Sequence, residues 1–130
     1  MAIALVGYGA WGRHHARAIA TAPSARLAAI AARGAAAQAA QEDWPGVRVL
    51  ADWREAVAAV DVQAVFVVVP NHLHAEIAEA ALKAGKHVLL EKPMALSLDE
   101  CDRLVVTARK SGRVLTIGHE LRLSTQWGRI

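Results

Sequence analysis

The residues best suited to chemistry sit at positions 7 to 12, where Gly7-Tyr8-Gly9-Ala10-Trp11-Gly12 spaces three glycines as G-x-G-x-x-G. Ala2 to Val6, just before it, reads as a strand, and Trp11 to Ala22 as a helix. In that setting each glycine has its own use. Gly7 permits a tight turn, Gly9 lets backbone come close to a pyrophosphate, and Gly12 lets the helix pack on the strand. Unpaired N–H groups and the dipole at the helix start, around Ala10 and Trp11, then favour an anion. Arg13 in the first turn could add positive charge toward phosphates. Two other readings stay open: glycines serving turn geometry alone, and a methyl-donor site of the S-adenosylmethionine type, which also uses a glycine turn after a first strand.

Where such a turn binds NAD, an acid about 20 residues farther on, at the end of the second strand, takes the ribose 2′-hydroxyl. Here the count lands on Ala32, followed by Arg33. No carboxylate repels a 2′-phosphate, and a guanidinium can bind one through charge-assisted hydrogen bonds. The expected cofactor is therefore NADP in preference to NAD. The alternative for Arg33 is a solvated loop residue.

The histidines make a poor metal site. His14 and His15 are adjacent and His72 and His74 are two apart, so neither pair shares a helix face, and no cysteine or carboxylate cluster supports them. No metal is expected. The tryptophans, Trp11, Trp44, Trp53 and Trp127, read as packing residues, with Trp11 singled out for its place in the glycine turn.

These residues need a frame to hold them. Strands are expected at Ala2 to Val6, Leu27 to Ala31, Val47 to Leu50, Ala64 to Val68, His87 to Leu90 and Val114 to Ile117. Ala64 to Val68 is continuously apolar, as a strand buried on both faces should be. Helices are expected from Trp11 to Ala22, Ala35 to Asp43, Trp53 to Ala59 with Asp52 as cap, and His72 to Ala84 before Gly85. A last helix runs from Ser97 to Gly112. Ser97 and Glu100 form its capping box, and Leu98, Cys101, Leu104, Val105 and Ala108 lie along one face. Strands and helices alternate with short turns, so the fold class is α/β: a Rossmann-type, doubly wound parallel sheet in a single domain. The glycine turn, Ala32-Arg33, Pro70-Asn71 and Glu91-Lys92-Pro93 all fall at the carboxyl ends of strands, where ligands of such sheets bind.

Composition narrows the classes further. The chain has 130 residues, enough for one ordinary domain, and 55% of them are hydrophobic. The 15 basic residues outnumber the 12 acidic ones, for a net charge of +3, but they are scattered and form no basic stripe with aromatics. Nucleic acid is not an expected partner, whereas a mild positive balance suits an anionic cofactor. Cys101 is the only cysteine, which fits a reducing compartment. The opening apolar run lacks a charged leader and is too short to span a bilayer. The expectation is a soluble, cytoplasmic chain with no membrane partner.

The second half carries a more specific pattern. Val69-Pro70-Asn71-His72-Leu73-His74 and Ala84-Gly85-Lys86-His87-Val88-Leu89-Leu90-Glu91-Lys92-Pro93 join Gly7 to His15 in a set that resembles the N-terminal domain of the Gfo/Idh/MocA family, named for glucose-fructose oxidoreductase, inositol dehydrogenase and rhizopine catabolism proteins. The likeness covers essentially the whole chain, and Glu-Lys-Pro is its most specific part. It implies that Pro70 and Asn71 lie near the cofactor ribose and nicotinamide, and that Glu91 helps hold the nicotinamide ribose. Lys92 would be the catalytic residue, binding a substrate hydroxyl or easing its proton transfer, and Pro93 would follow a cis bond. His74 would be a structural or cofactor-side residue and Arg122 would lie near the cofactor. The other reading of Glu91-Lys92 is a surface ion pair, worth little.

The resemblance further implies oxidation of a sugar or cyclitol hydroxyl, or the reverse. It also implies a larger C-terminal α/β substrate domain that these residues do not include. Residues 1–120 then form the dinucleotide-binding domain and 121–130 begin the connection onward. Such a chain is expected to bind cofactor and turn over little alone. It would pair with a sugar or polyol substrate, with a copy of itself, or with a chain supplying the other domain. The alternative is a non-catalytic module that binds or senses the dinucleotide.

Overall fold

The computed structural model describes residues 1–119. Its strands are β1 (Ala2–Val6), β2 (Arg26–Ala31), β3 (Arg48–Leu50), β4 (Ala64–Val67), β5 (His87–Glu91) and β6 (Leu115–Gly118). Its helices are α1 (Ala10–Thr21), α2 (Gly34–Asp43), α3 (Trp53–Ala58), α4 (His74–Lys83) and α5 (Leu98–Ser111). All strand pairs are parallel, in the order β3-β2-β1-β4-β5-β6. The expected doubly wound Rossmann sheet is therefore what forms, and its strand order reverses between β1 and β4.

Alternation along the strands sends side chains to two cores. Ala2, Ala4 and Val6 join Val65, Val67, Ile77, Leu82 and Leu104 on the face covered by α3, α4 and α5. Ile3 and Leu5 join Ile19, Ile30 and Ala40 on the face covered by α1 and α2. Among the described residues no helix is long and apolar enough to cross a membrane.

Local signals end the elements much as read. The Asp52 side chain accepts from Arg54 N at 2.9 Å at the start of α3. Gly112 adopts φ +64 after α5. The capping box is shifted: Ser97 Oγ accepts from Glu100 N at 3.3 Å, but Glu100 Oε2 accepts from Leu96 N. A 3₁₀ turn, Asn71–Leu73, precedes α4, because Pro70 opens a tight turn in which Leu73 N donates to its carbonyl at 2.9 Å. The face expected on α5 divides. Leu104 is buried, whereas Leu98 is 82% exposed and Val105 is 37% exposed. Leu98 stands in the first turn, and α5 meets the core mainly through Leu104.

β5 runs one residue beyond expectation, so that Glu91 pairs with Gly118 of β6. Lys86, just before β5, is buried, and its Nζ donates to the carbonyls of Ala59 and Val62 at 2.7 Å each. It ties the start of β5 to the turn between α3 and β4.

Candidate functional site

The three glycines are held to different geometries. Gly7 has φ +100, and a Cβ there would stand 1.9 Å from the Val68 carbonyl oxygen. The turn can pass over the end of β4 only without a side chain. A Cβ on Gly12 would lie 2.3 Å from the Gly7 carbonyl oxygen, so α1 packs directly on the turn. Gly9 differs from both. Its backbone is extended, at φ −77 and ψ −167, and among the described residues a Cβ there would meet nothing within 4 Å. Neither backbone strain nor packing inside the chain calls for glycine at this position.

Gly9 precedes an α1 that has no side-chain cap and no acid in its first turn. The N–H groups of Ala10, Trp11 and Gly12 belong to the orphan donors of a helix start. Two hollows meet here, sharing Gly9, Val68 and Val69. One, of about 410 Å³, continues past Ala32, Arg33, Trp53 and Pro70. The other, of about 390 Å³, continues past Trp11, Asn71, His74, Glu91 and Lys92. An uncapped helix start between two hollows is a place for an anionic link joining two larger groups.

At the end of β2, Ala32 is buried and donates its N–H to the Leu50 carbonyl at 2.9 Å. Arg33 is exposed, and its Nε donates to the Ala51 carbonyl at 3.2 Å. α2 starts beside them with no acid in its first turn. Arg13 points elsewhere. Its guanidinium pairs with Asp43 at 3.3 Å and lies 5.5 Å over the Tyr8 ring, and it lines neither hollow. Tyr8 is buried, donates to Asp43 Oδ2 at 2.8 Å and accepts from Trp44 Nε1 at 2.7 Å. This network ties the glycine turn to the far end of α2. Burial, reinforced by Asp43, raises the Tyr8 phenol above its ordinary value.

At the other end, Glu91 is buried to 7% exposure. Its Oε1 accepts from Trp11 Nε1 and from His15 Nε2, both at 2.8 Å, and its Oε2 from Lys92 N at 3.2 Å. It is not half of a surface ion pair. Lys92 is exposed on the wall of the hollow, and its bond to Pro93 is cis. His74 is fully buried, its Nδ1 2.7 Å from the Pro93 carbonyl oxygen and its Nε2 2.9 Å from that of Val69. It bridges the loops after β4 and β5. Arg122 and the 121–130 connection lie outside the described residues.

Most residues singled out in the sequence thus line one continuous trough, with Arg13 outside it and Pro93 reached through His74. Trp53 was read as packing, but it also forms a wall of the first hollow, with the Arg54 guanidinium 4.3 Å over its ring. Tyr8, His15 and Gly118 carried no signal of their own, because their partners come from distant elements.

The profile described as an oxidoreductase family with an NAD-binding Rossmann fold, Gfo/Idh/MocA, matches residues 1–119. The chain belongs to this family. The family's inositol 2-dehydrogenase 2 of Saccharopolyspora erythraea is 41% identical over 118 residues, covering 88% of this chain and 34% of that protein. A solved Klebsiella pneumoniae protein assigned as an oxidoreductase is 37% identical with a TM-score of 0.91, covering 97% of this chain and 36% of its own. The biliverdin reductase of Synechocystis, solved with biliverdin and NADP⁺, is 32% identical with a TM-score of 0.87, covering 94% of this chain and 39% of its own. The chain therefore spans little more than a third of the length of these relatives. It is an NAD(P)-binding domain of the Gfo/Idh/MocA family, and its residues fit that cofactor: open space above Gly9, an uncapped helix start and a hollow on each side.

Proposed function

We propose that this chain is the cofactor-binding half of an oxidoreductase acting on the CH–OH group of a sugar or cyclitol, with NADP preferred to NAD. The observation that carries the reading is the meeting of two hollows at Gly9, whose missing side chain serves no need of the fold. The N–H groups at the start of α1 would take the pyrophosphate. Ala32 and Arg33 would admit and bind the 2′-phosphate of the adenosine half. Asn71, Glu91 and Lys92 would line the nicotinamide half, whereas Pro70 walls the hollow of Ala32 and Arg33. A bound nicotinamide supplies the hydride acceptor or donor. Lys92, exposed on that wall, would hold the substrate hydroxyl and ease its proton transfer. The inositol dehydrogenase among the relatives supports a polyol substrate. We place the chain in the cytoplasm, where its single cysteine needs no partner.

Glu91 and His74 are held in internal bonds, so neither is proposed as a proton carrier. We therefore expect cofactor binding with little turnover unless a further domain or a partner chain completes the substrate side. The same observation favours a second reading, a module that binds or senses the dinucleotide without chemistry. Calorimetric titration with NADPH and NADH tests the site: tight NADPH with weaker NADH is expected, and no binding of either overturns the proposal. Oxidation of inositol by NADP⁺ after the remainder of a relative is supplied separates the two readings.

A further inference from the structure

Three donors from three directions converge on Glu91. Trp11 Nε1 and His15 Nε2 both reach Oε1 at 2.8 Å, whereas among the described residues Oε2 has only the Lys92 N–H at 3.2 Å. A carboxylate oxygen accepts about two hydrogen bonds. Oε1 is therefore saturated, and Oε2 keeps a lone pair. The carboxylate is buried, and its residue lines the hollow of Asn71 and Lys92. The His15 ring is itself fixed, edge-on to Trp11 at 6.4 Å and to Phe66 at 5.9 Å. From β6, Gly118 leaves just enough room: a Cβ there would stand 3.1 Å from Oε1 and 3.3 Å from Cδ.

We infer that His15 is a positioning residue for the nicotinamide half of the site: it holds Glu91 Oε1 so that Oε2 is presented to a ribose hydroxyl of the bound cofactor. This rests on the reading of the Asn71–Lys92 hollow as the nicotinamide side. His15 lines neither hollow and acts only through Glu91. Trp11 shares the task but lines the hollow as well, so His15 is the cleaner probe. Gln at this position can place an amide N–H near Nε2, whereas Leu cannot donate.

The test compares each whole cofactor with its adenosine half: NADPH with 2′,5′-ADP, and NADH with ADP, by calorimetry on the full chain. His15→Leu is expected to weaken the whole cofactor about tenfold or more, the scale of one lost hydrogen bond to a charged group. The half-cofactor should change less than about twofold, and His15→Gln should recover most of the loss. Gly118→Ala provides an independent route, because its Cβ presses the carboxylate aside by a few tenths of an ångström and leaves the His15 side chain intact; a smaller loss, again selective for the whole cofactor, is expected. Equal weakening of whole and half cofactor, or none of either, overturns the positioning role. A wild-type chain that binds neither NADPH nor NADH fails earlier, and removes the dinucleotide reading and this inference together.

Discussion

At position 9 the backbone adopts an ordinary extended conformation that any residue can take, and among the described residues nothing lies within 4 Å of a Cβ there. Gly9→Val should leave the thermal unfolding midpoint nearly unchanged, because the added carbons enter open space. It should abolish NADPH binding in a calorimetric titration, because they enter the space proposed for the pyrophosphate; unchanged affinity would remove Gly9 from the site. Arg33 makes the matching prediction for the adenosine half. It is exposed and donates one N–H to the Ala51 carbonyl, so Arg33→Ala should cost little stability. It should weaken NADPH about ten- to hundredfold, the worth of a charge-assisted contact, and leave NADH almost untouched. Equal losses for both would refute the 2′-phosphate role.

Among the elements, α4 bears most directly on the site, because its first residue joins two loops. Both partners of His74 are carbonyl oxygens, one from the loop after β4 and one from Pro93. His74→Leu leaves at least one of them without its donor in a buried place, and the expected loss is about 1–3 kcal/mol in chemical denaturation. Cofactor affinity should fall with it, since Val69 and Lys92 both line the hollow proposed for the nicotinamide. Retained stability would show that water replaces the imidazole. Elements were also the scale at which the sequence was most legible. Apolar runs, Asp52 and Gly112 placed strands and helix ends to within a residue or two, because those signals are local. The split face of α5 was not legible: helical spacing states which residues share a face, not how much of it the sheet reaches. His15 and Glu91 lie 76 positions apart, Tyr8 and Asp43 lie 35 apart, and only the crossovers bring them together. Glu91 was recognised by its motif, but no pattern in one sequence names the partners that orient it.

At the scale of the whole molecule, Tyr8 links the glycine turn to α2 and is the chain's only tyrosine. Its phenol is raised above 10.0 first by burial, then by Asp43, with the Trp44 N–H opposing. The folded state therefore binds the phenolic proton more firmly than the unfolded chain. That stability is fully present below about pH 10 and is lost as pH rises through the folded value. Wild type and Tyr8→Phe compared by urea denaturation from neutral to alkaline pH should show wild type losing its advantage above that point, while phenolate absorbance follows the one residue responsible. A constant difference across the range would mean that the Tyr8–Asp43 bond does not couple to folding.

The two hollows share only Gly9, Val68 and Val69. Beyond that ridge the end of β2 walls one hollow and the end of β5 the other, while the segment after β4 contributes to both. A ligand read by two nearly disjoint sets of residues can have one reading altered without the other. Exchange of a residue or two after β2 would then switch which reductant pool the protein draws on, while the apparatus that faces the reacting carbon stays as it was. Under the proposed function, nucleotide preference and reaction would in that sense be separately heritable traits, able to drift or be selected apart on one unchanged scaffold.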